Sequence, residues 1–163
     1  MPLKTKTKTK KKNTTSRKTR RDFWHKQFHV INVDPFNTQV SVAVNMTEAE
    51  TINTVLECIN SHDNRHTERE KKFLTEFSVG VQDWDDCPHA LGRMIPAGSS
   101  YVILLRFDKN KFREAVGLLT HEVTHVVQYL LRDRRTPMSE DTEEVYAYLM
   151  QWLTQEILYR LYE

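Results

Sequence analysis

Residues 112–131 read FREAVGLLTHEVTHVVQYLL, and this stretch decides the fold class. It is nearly continuously apolar and too long for a single β-strand, so the pattern predicts a buried α-helix. Charged residues and then Pro137 follow, which predicts that the helix ends shortly after residue 131. His121, Glu122 and His125 form an H-E-x-x-H sequence inside it. The segment expected to build the core therefore also carries the residues with the most specific chemistry.

The H-E-x-x-H spacing has a direct physical meaning on a helix. Residues four apart lie on one face, one turn above the other, so His121 and His125 can bind one metal ion. Glu122 is displaced around the helix and can accept a proton from a metal-activated water. A catalytic zinc site needs a third protein ligand, and the next predicted helix offers Glu143 and Glu144. These neighbours differ by about 100° around the helix, so only one of them can face the metal.

The rest of the sequence predicts an α+β domain with a small mixed or antiparallel sheet. Runs of β-branched residues predict strands at residues 28–33, 40–44 and 101–107. Capping signals predict a helix after Thr47, a short helix or strand near residues 73–81, and a last helix that runs to about Tyr159. Residues 83–100 are predicted as a loop. The apolar positions of the last helix are expected to face the core: Val145, Tyr148, Leu149, Trp152, Leu153 and Leu158.

The motifs in the last third of the chain resemble a known protein family. The first continues from His121 as H-E-x-x-H-x-x-Q to Gln128, and Glu144 begins E-x-x-A-Y-x-x-Q, which ends at Gln151. This arrangement resembles the gluzincin group of zinc metallopeptidases, and in particular small zincin-like proteins encoded by bacteriophages. The resemblance covers roughly residues 101–158.

The resemblance implies a compact zincin-like domain that hydrolyses peptide bonds with Zn²⁺ as its cofactor. His121, His125 and Glu144 would bind the metal, Glu143 being the alternative third ligand, and Glu122 would act as the general base. The partner implied by this activity is a protein or peptide substrate.

Three further features of the site follow from the same resemblance. Residues 101–107 would form the edge strand along which such enzymes lay an extended peptide. Many gluzincins carry an aspartate four residues after the ligand glutamate, and this chain has Tyr148 there. Candidates for stabilising charge in the transition state are Tyr101, Tyr146 and His89.

The charged residues are divided unevenly along the chain. Residues 1–21 contain ten Lys and Arg and no acid, whereas the remainder has 14 basic and 22 acidic residues, a net charge of −8. A Lys/Thr-rich segment with almost no apolar residues cannot bury enough surface to offset its ordering entropy. The composition therefore predicts a disordered basic tail at residues 1–21 and a folded acidic domain at residues 22–163, which the resemblance implies is a zincin-like metallopeptidase domain.

The basic tail suggests a second function class. Its cations, within residues 4–21, predict non-specific and salt-sensitive contact with nucleic acid. Together with the resemblance to phage zincin-like proteins, the tail gives the alternative to an enzyme: a catalytically inactive, zincin-like protein of a phage, associated with nucleic acid or built into the virion. No run of 18 apolar residues occurs, so no membrane partner is expected. The expected location is the cytoplasm of the host cell or the virion.

Overall fold

The computed structural model describes residues 26–34, 36–60, 68–87, 89–107 and 112–163. The predicted basic tail at residues 1–21 lies outside the described residues. Within the described ranges the order of elements is β1 (Gln27–Val33), β2 (Thr38–Val44), α1 (Glu48–Asn60), α2 (Glu68–Val81), β3 (Gly92–Ala97), β4 (Ser100–Leu105), α3 (Phe112–Asp133) and α4 (Glu143–Tyr162). No helix in these ranges is long and apolar enough to cross a membrane.

The four strands form one mixed sheet in the order β1-β2-β4-β3. β1 and β2 are an antiparallel pair in which Val33 lies opposite Thr38. β2 and β4 run parallel, and β4 and β3 form a second antiparallel pair that turns through Gly98, whose φ is +61°. The chain therefore has an α+β fold with a small mixed sheet, as the sequence predicts.

The position of the edge strand corrects two predictions. Residues 101–107 were expected at the edge of the sheet, but β4 lies between β2 and β3. Its continuous apolar run is what a strand covered on both faces requires. The expected loop at residues 83–100 contains β3, which forms one of the two edges of the sheet, the other being β1. The sequence does not predict β3, because Gly92 and Pro96 both weaken a strand pattern. Proline is nevertheless accepted in an edge strand where its nitrogen faces away from the sheet.

Helices cover both faces of the sheet. Alternate β4 residues, including Ile103 and Leu105, pack in one core with α3 and α4, whereas Val102 and Leu104 pack in a second core with α1 and α2. The first core receives seven buried residues of α3, which are Ala115, Leu119, Val123, Val126, Val127, Leu130 and Leu131. The apolar periodicity of α3 thus fixes which of its sides faces the sheet.

The N-terminal cap of α1, which lies on the other face of the sheet, agrees with the sequence. The backbone N–H of Glu50 donates to Thr47 Oγ1 at 3.2 Å, and the N–H of Thr47 donates to Glu50 Oε2 at 3.0 Å. This is the reciprocal capping box that the Thr47/Glu50 spacing predicts for α1. The uncertain segment near residues 73–81 is a helix, because it forms part of α2.

The orientation of α4 departs from the prediction. Its buried residues are Tyr146, Leu153, Ile157 and Leu161. Of the expected core positions, Leu153 is buried and Leu149 and Leu158 are partly buried, whereas Val145, Tyr148 and Trp152 are 44%, 68% and 41% exposed. α4 has apolar residues on two opposite sides, so periodicity alone could not decide which side packs on the core.

Candidate metal centre

α3 brings His121 and His125 together. Their Nε2 atoms lie 3.1 Å apart, and the two rings are nearly perpendicular, with an interplanar angle of 86°. His121 is exposed and His125 is half-buried, so both imidazoles reach the surface. Two nitrogens that bind one zinc ion tetrahedrally, each at about 2.0–2.1 Å, lie about 3.3 Å from each other. The histidine pair therefore fits two ligand positions of a zinc site.

The side chain of Glu122 extends from α3 toward the edge strand β3. It is buried, with 4% relative exposure, and its carboxylate accepts a hydrogen bond from the backbone N–H of Met94. A Cβ atom at Gly92 would lie 2.6 Å from Glu122 Oε1 and 2.7 Å from Leu118 Cδ1. Because Gly92 has no side chain, the Glu122 carboxylate has room to pack against β3.

The surroundings of Glu122 change its basicity. Burial raises the pKa of the Glu122 carboxyl above its ordinary value, because the charged form loses hydration. His121, His125 and the N–H of Met94 oppose this shift by favouring the carboxylate. The result is a raised pKa, which makes Glu122 a stronger base than a glutamate in water.

The outer edge of β3 lies beside this carboxylate. Arg106 N–H donates to the Leu91 carbonyl at 2.7 Å, and the register pairs Gly92 with Leu105. Alternation in an antiparallel pair then turns the backbone groups of Gly92, Met94 and Pro96 away from β4. This explains why the N–H of Met94 is available to Glu122.

The third metal ligand is not assembled. Glu144 and Glu143 lie in the first turn of α4, and both are exposed. Tyr146 is buried, so Glu144, two residues earlier, lies on the opposite side of the helix, whereas Glu143 shares the side of Tyr146. Among the described residues, no group of three His, Cys, Asp or Glu side chains is arranged to hold a metal ion. The structure joins His121, Glu122 and His125 without Glu143 or Glu144.

Two of the three expected transition-state groups, Tyr101 and Tyr146, lie away from the histidine pair. Tyr101 is buried and its hydroxyl donates to Asp133 Oδ2 at 3.0 Å, eight residues or about 12 Å along α3 from His125. Tyr146 donates to the Thr136 carbonyl at 2.9 Å. His89 is exposed in the segment before β3. Tyr101 and Tyr146 are thus engaged by partners at the far end of α3 and beyond it.

Tyr101 and Asp133 instead line a separate cleft of about 230 Å³, together with Thr38, Gly98, Ser99, Leu130 and Arg134. Burial first, and then the hydrogen bond and the negative charge of Asp133, raise the pKa of Tyr101 well above its ordinary value. The phenol therefore stays protonated and acts as a donor to Asp133.

Arg106 fixes the segment that leads into β3. Its guanidinium stacks over the Trp84 ring at 4.1 Å and donates to the carbonyls of Trp84 and Cys87 at 2.7 and 2.9 Å. The same group pairs with Asp85 at 3.1 Å. Sequence reasoning missed this arrangement, together with Gly92 and Met94, because the whole region was predicted as a loop.

No protein-family model matches this chain, and no curated protein and no solved structure matches it.

Proposed function

We propose that the protein is a zinc metallopeptidase in which His121 and His125 bind the metal and Glu122 is the general base. Glu144 is proposed as the third ligand, with Glu143 as the alternative. The observation that carries the proposal is the approach of the two Nε2 atoms to 3.1 Å beside a buried carboxylate. A zinc ion bound by such ligands supplies an activated water and polarises the carbonyl that is attacked.

Glu122 has the environment that a general base requires. Its raised pKa helps it to take a proton from the attacking water, and the same oxygen can then pass the proton to the leaving amine. The hydrogen bond from Met94 limits rotation of the carboxylate. Because β3 and α3 hold Glu122 from two sides, its carboxylate is already oriented before a substrate binds.

The edge of the sheet offers a binding mode for the substrate. The carbonyl groups of Gly92, Met94 and Pro96 face outward from β3, which is next to Glu122. An extended peptide can donate its N–H groups to these carbonyls and thereby add a strand to the sheet. We therefore expect selectivity for unfolded or extended segments over folded ones.

Metal content tests the ligand set. Purified wild-type protein should contain one zinc per chain, and the His125→Ala variant should contain none. Separate Glu143→Gln and Glu144→Gln variants identify the third ligand, since the variant at the true ligand should bind zinc more weakly. Absence of zinc from the wild type after zinc is added back would overturn the proposal.

Glu122→Gln separates catalysis from metal binding. The amide cannot accept the proton, so hydrolysis of a mixed peptide library should fall by about 10²- to 10⁴-fold while zinc is retained. Glu57→Gln, an exposed position of α1, is the matched control and should cleave like wild type. Wild-type rates in the Glu122→Gln variant would show that Glu122 is not the base.

A second candidate function follows from the charge distribution. The ten basic residues at positions 1–21 precede a remainder with a net charge of −8. This segregation supports contact with nucleic acid, and the second candidate is therefore an inactive, zincin-like protein that contacts nucleic acid or belongs to a virion. The two candidates differ in one result, because the second predicts that neither zinc nor Glu122 is needed for any activity of the protein.

A further inference from the structure

The outer face of α4 carries a row of large side chains. Five of them are substantially exposed, with exposed fractions of 44%, 68%, 41%, 60% and 43% for Val145, Tyr148, Trp152, Tyr159 and Tyr162. Gln155 is also exposed and completes the row. We call these six residues the α4 seam. Exposed aromatic residues in such number are typical of interfaces, where tyrosine and tryptophan are enriched.

The spacing of the α4 seam indicates what kind of partner fits it. Successive members are separated by 3, 4, 3, 4 and 3 residues. This is the alternation of the a and d positions of a heptad, the pattern with which one helix packs along another. The opposite side of α4 is held in the core by Tyr146, Leu153 and Ile157. The seam can therefore receive a second helix without any change in the fold.

We propose that the α4 seam is a dimer interface in which it packs, antiparallel, on the same seam of a second copy of this chain. The spacing of the seam residues is the same from either end of the seam. A two-fold axis through the centre of the seam therefore places every seam residue opposite a seam residue of the partner. Tyr148 would meet the partner's Tyr159, and Trp152 would meet the partner's Gln155. Such an isologous pairing is the commonest arrangement of protein dimers.

The exposed area is sufficient for such a dimer. An aromatic side chain offers about 150–250 Å² of surface, so the four rings at their observed exposure present about 400 Å² in each copy. Both copies together contribute about 800 Å², and the exposed surfaces of Val145 and Gln155 in each copy bring the total to roughly the 1,000 Å² of a specific interface.

Charge favours the antiparallel direction. Glu143 and Glu144 lie in the first turn of α4, and the basic residue of its last turn is Arg160. A parallel pair would place two acidic first turns side by side, whereas an antiparallel pair separates them. The helix dipoles of an antiparallel pair also oppose each other favourably.

The mass in solution tests the dimer. Sedimentation equilibrium of the full chain should give twice the 19.3 kDa of one copy. Tyr148→Asp should raise the dimer dissociation constant by about a hundredfold, because a charge at the seam is introduced twice. The control is Val79→Asp, at a valine of α2 that is 63% exposed, which should stay dimeric. Circular dichroism shows whether each variant is folded.

Two results would overturn the dimer. One is a wild-type mass of a single copy at up to about 0.1 mM protein. The other is equal dissociation of the Tyr148→Asp and Val79→Asp variants while both remain folded. Neither depends on zinc or on peptide hydrolysis, so the dimer and the proposed function can fail separately.

Cysteine cross-linking tests the direction in a background with Cys58→Ser and Cys87→Ser. Chains with Tyr159→Cys are mixed with chains carrying Tyr148→Cys and oxidised. An antiparallel pair should give disulfides only between the two kinds of chain, because residue 148 faces the partner's residue 159, whereas like residues are displaced by about 16 Å along the helix. Disulfides between like chains would show a parallel pair and contradict the proposal.

Discussion

Gly92 determines how closely β3 can approach α3 beside the candidate metal centre. A methyl group there would meet Glu122 Oε1 at 2.6 Å, so Gly92→Ala must displace the carboxylate. We expect peptide hydrolysis to fall by about a hundredfold, because small misplacements of a catalytic group are costly. The free energy of unfolding should fall by about 1–3 kcal/mol through overpacking, and zinc content should not change. Peptide cleavage, denaturant unfolding and metal analysis measure these effects.

A second glycine supplies the control for this experiment. Gly117 lies on α3, and a Cβ atom built there meets nothing within 4 Å. Gly117→Ala should leave hydrolysis unchanged and stabilise the helix by about 0.5–1 kcal/mol. If both alanine variants hydrolysed peptides at the wild-type rate, the close contact at Gly92 would have no catalytic importance.

His29 on β1 links stability to pH. Burial first, and then the charge of Arg160, lowers the pKa of His29 below its ordinary value of 6.5, although Glu163 opposes the shift. The unfolded chain therefore takes up a proton near pH 6.5, and folded His29 takes it up only at a lower pH. Its contribution to stability is complete above pH 6.5 and is lost as the pH falls below that value toward the lowered folded pKa.

Urea unfolding across this pH window tests the link at His29. The difference in unfolding free energy between wild type and His29→Gln should change as the pH falls from 6.5, with the wild type losing more. His89→Gln is the control at an exposed histidine and should follow the wild-type curve. Parallel curves for wild type and His29→Gln would contradict the assignment.

The Arg106 contacts hold one element in place, namely the segment between α2 and β3. The planar guanidinium group of Arg106 hydrogen-bonds to two carbonyls and one carboxylate while it stacks on Trp84. Lysine keeps the charge but cannot form this set of contacts, so Arg106→Lys should lower the free energy of unfolding by about 2 kcal/mol. Arg113→Lys, at an exposed position of α3, should change it by less than about 0.5 kcal/mol. Thermal or denaturant unfolding compares the two, and equal effects would exclude a special role for Arg106.

Sequence predicts the elements that depend on local signals. The β1-β2 hairpin, the α1 capping box and α3 follow from patterns within a few residues, and each is present. β3 could not be predicted, because Gly92 and Pro96 suit it only through distant partners: Glu122 on α3 and an edge position in the sheet. The edge position that the resemblance implies for residues 101–107 is wrong, because β3 covers β4 on that side.

The candidate site shows the same division. The spacing of His121, Glu122 and His125 on one helix is sufficient to bring them together. The proposed third ligand, Glu144 or Glu143, belongs to α4, whose rotation depends on which of its two apolar sides packs on the core. The side that packs on the core carries Tyr146, Leu153 and Ile157, and tertiary packing decides this. The third ligand therefore stays a prediction, which the metal-content variants address.

At the scale of the whole molecule, the segregation of charge predicts salt-dependent binding of nucleic acid. Replacing the ten Lys and Arg residues at positions 1–21 by glutamine should abolish binding to duplex DNA, because the remainder is acidic. For the wild type, the logarithm of the binding constant should fall with the logarithm of salt concentration by about 0.9 per phosphate contacted. Fluorescence anisotropy at several salt concentrations measures both. Peptide hydrolysis should be unaffected, and undiminished binding by the neutralised chain would place the contact elsewhere.

The outward edge of β3 also bears on aggregation. Pro96 has no N–H, and the N–H of Met94 is bonded to Glu122, so two of three outward positions offer a carbonyl without a free donor. If the β3 strands of two copies met edge to edge, most outward carbonyl groups of one copy would face carbonyl groups of the other. Few hydrogen bonds could then form between the two strands. The arrangement that orients the candidate catalytic base therefore also discourages the open edge of the sheet from growing into fibrils.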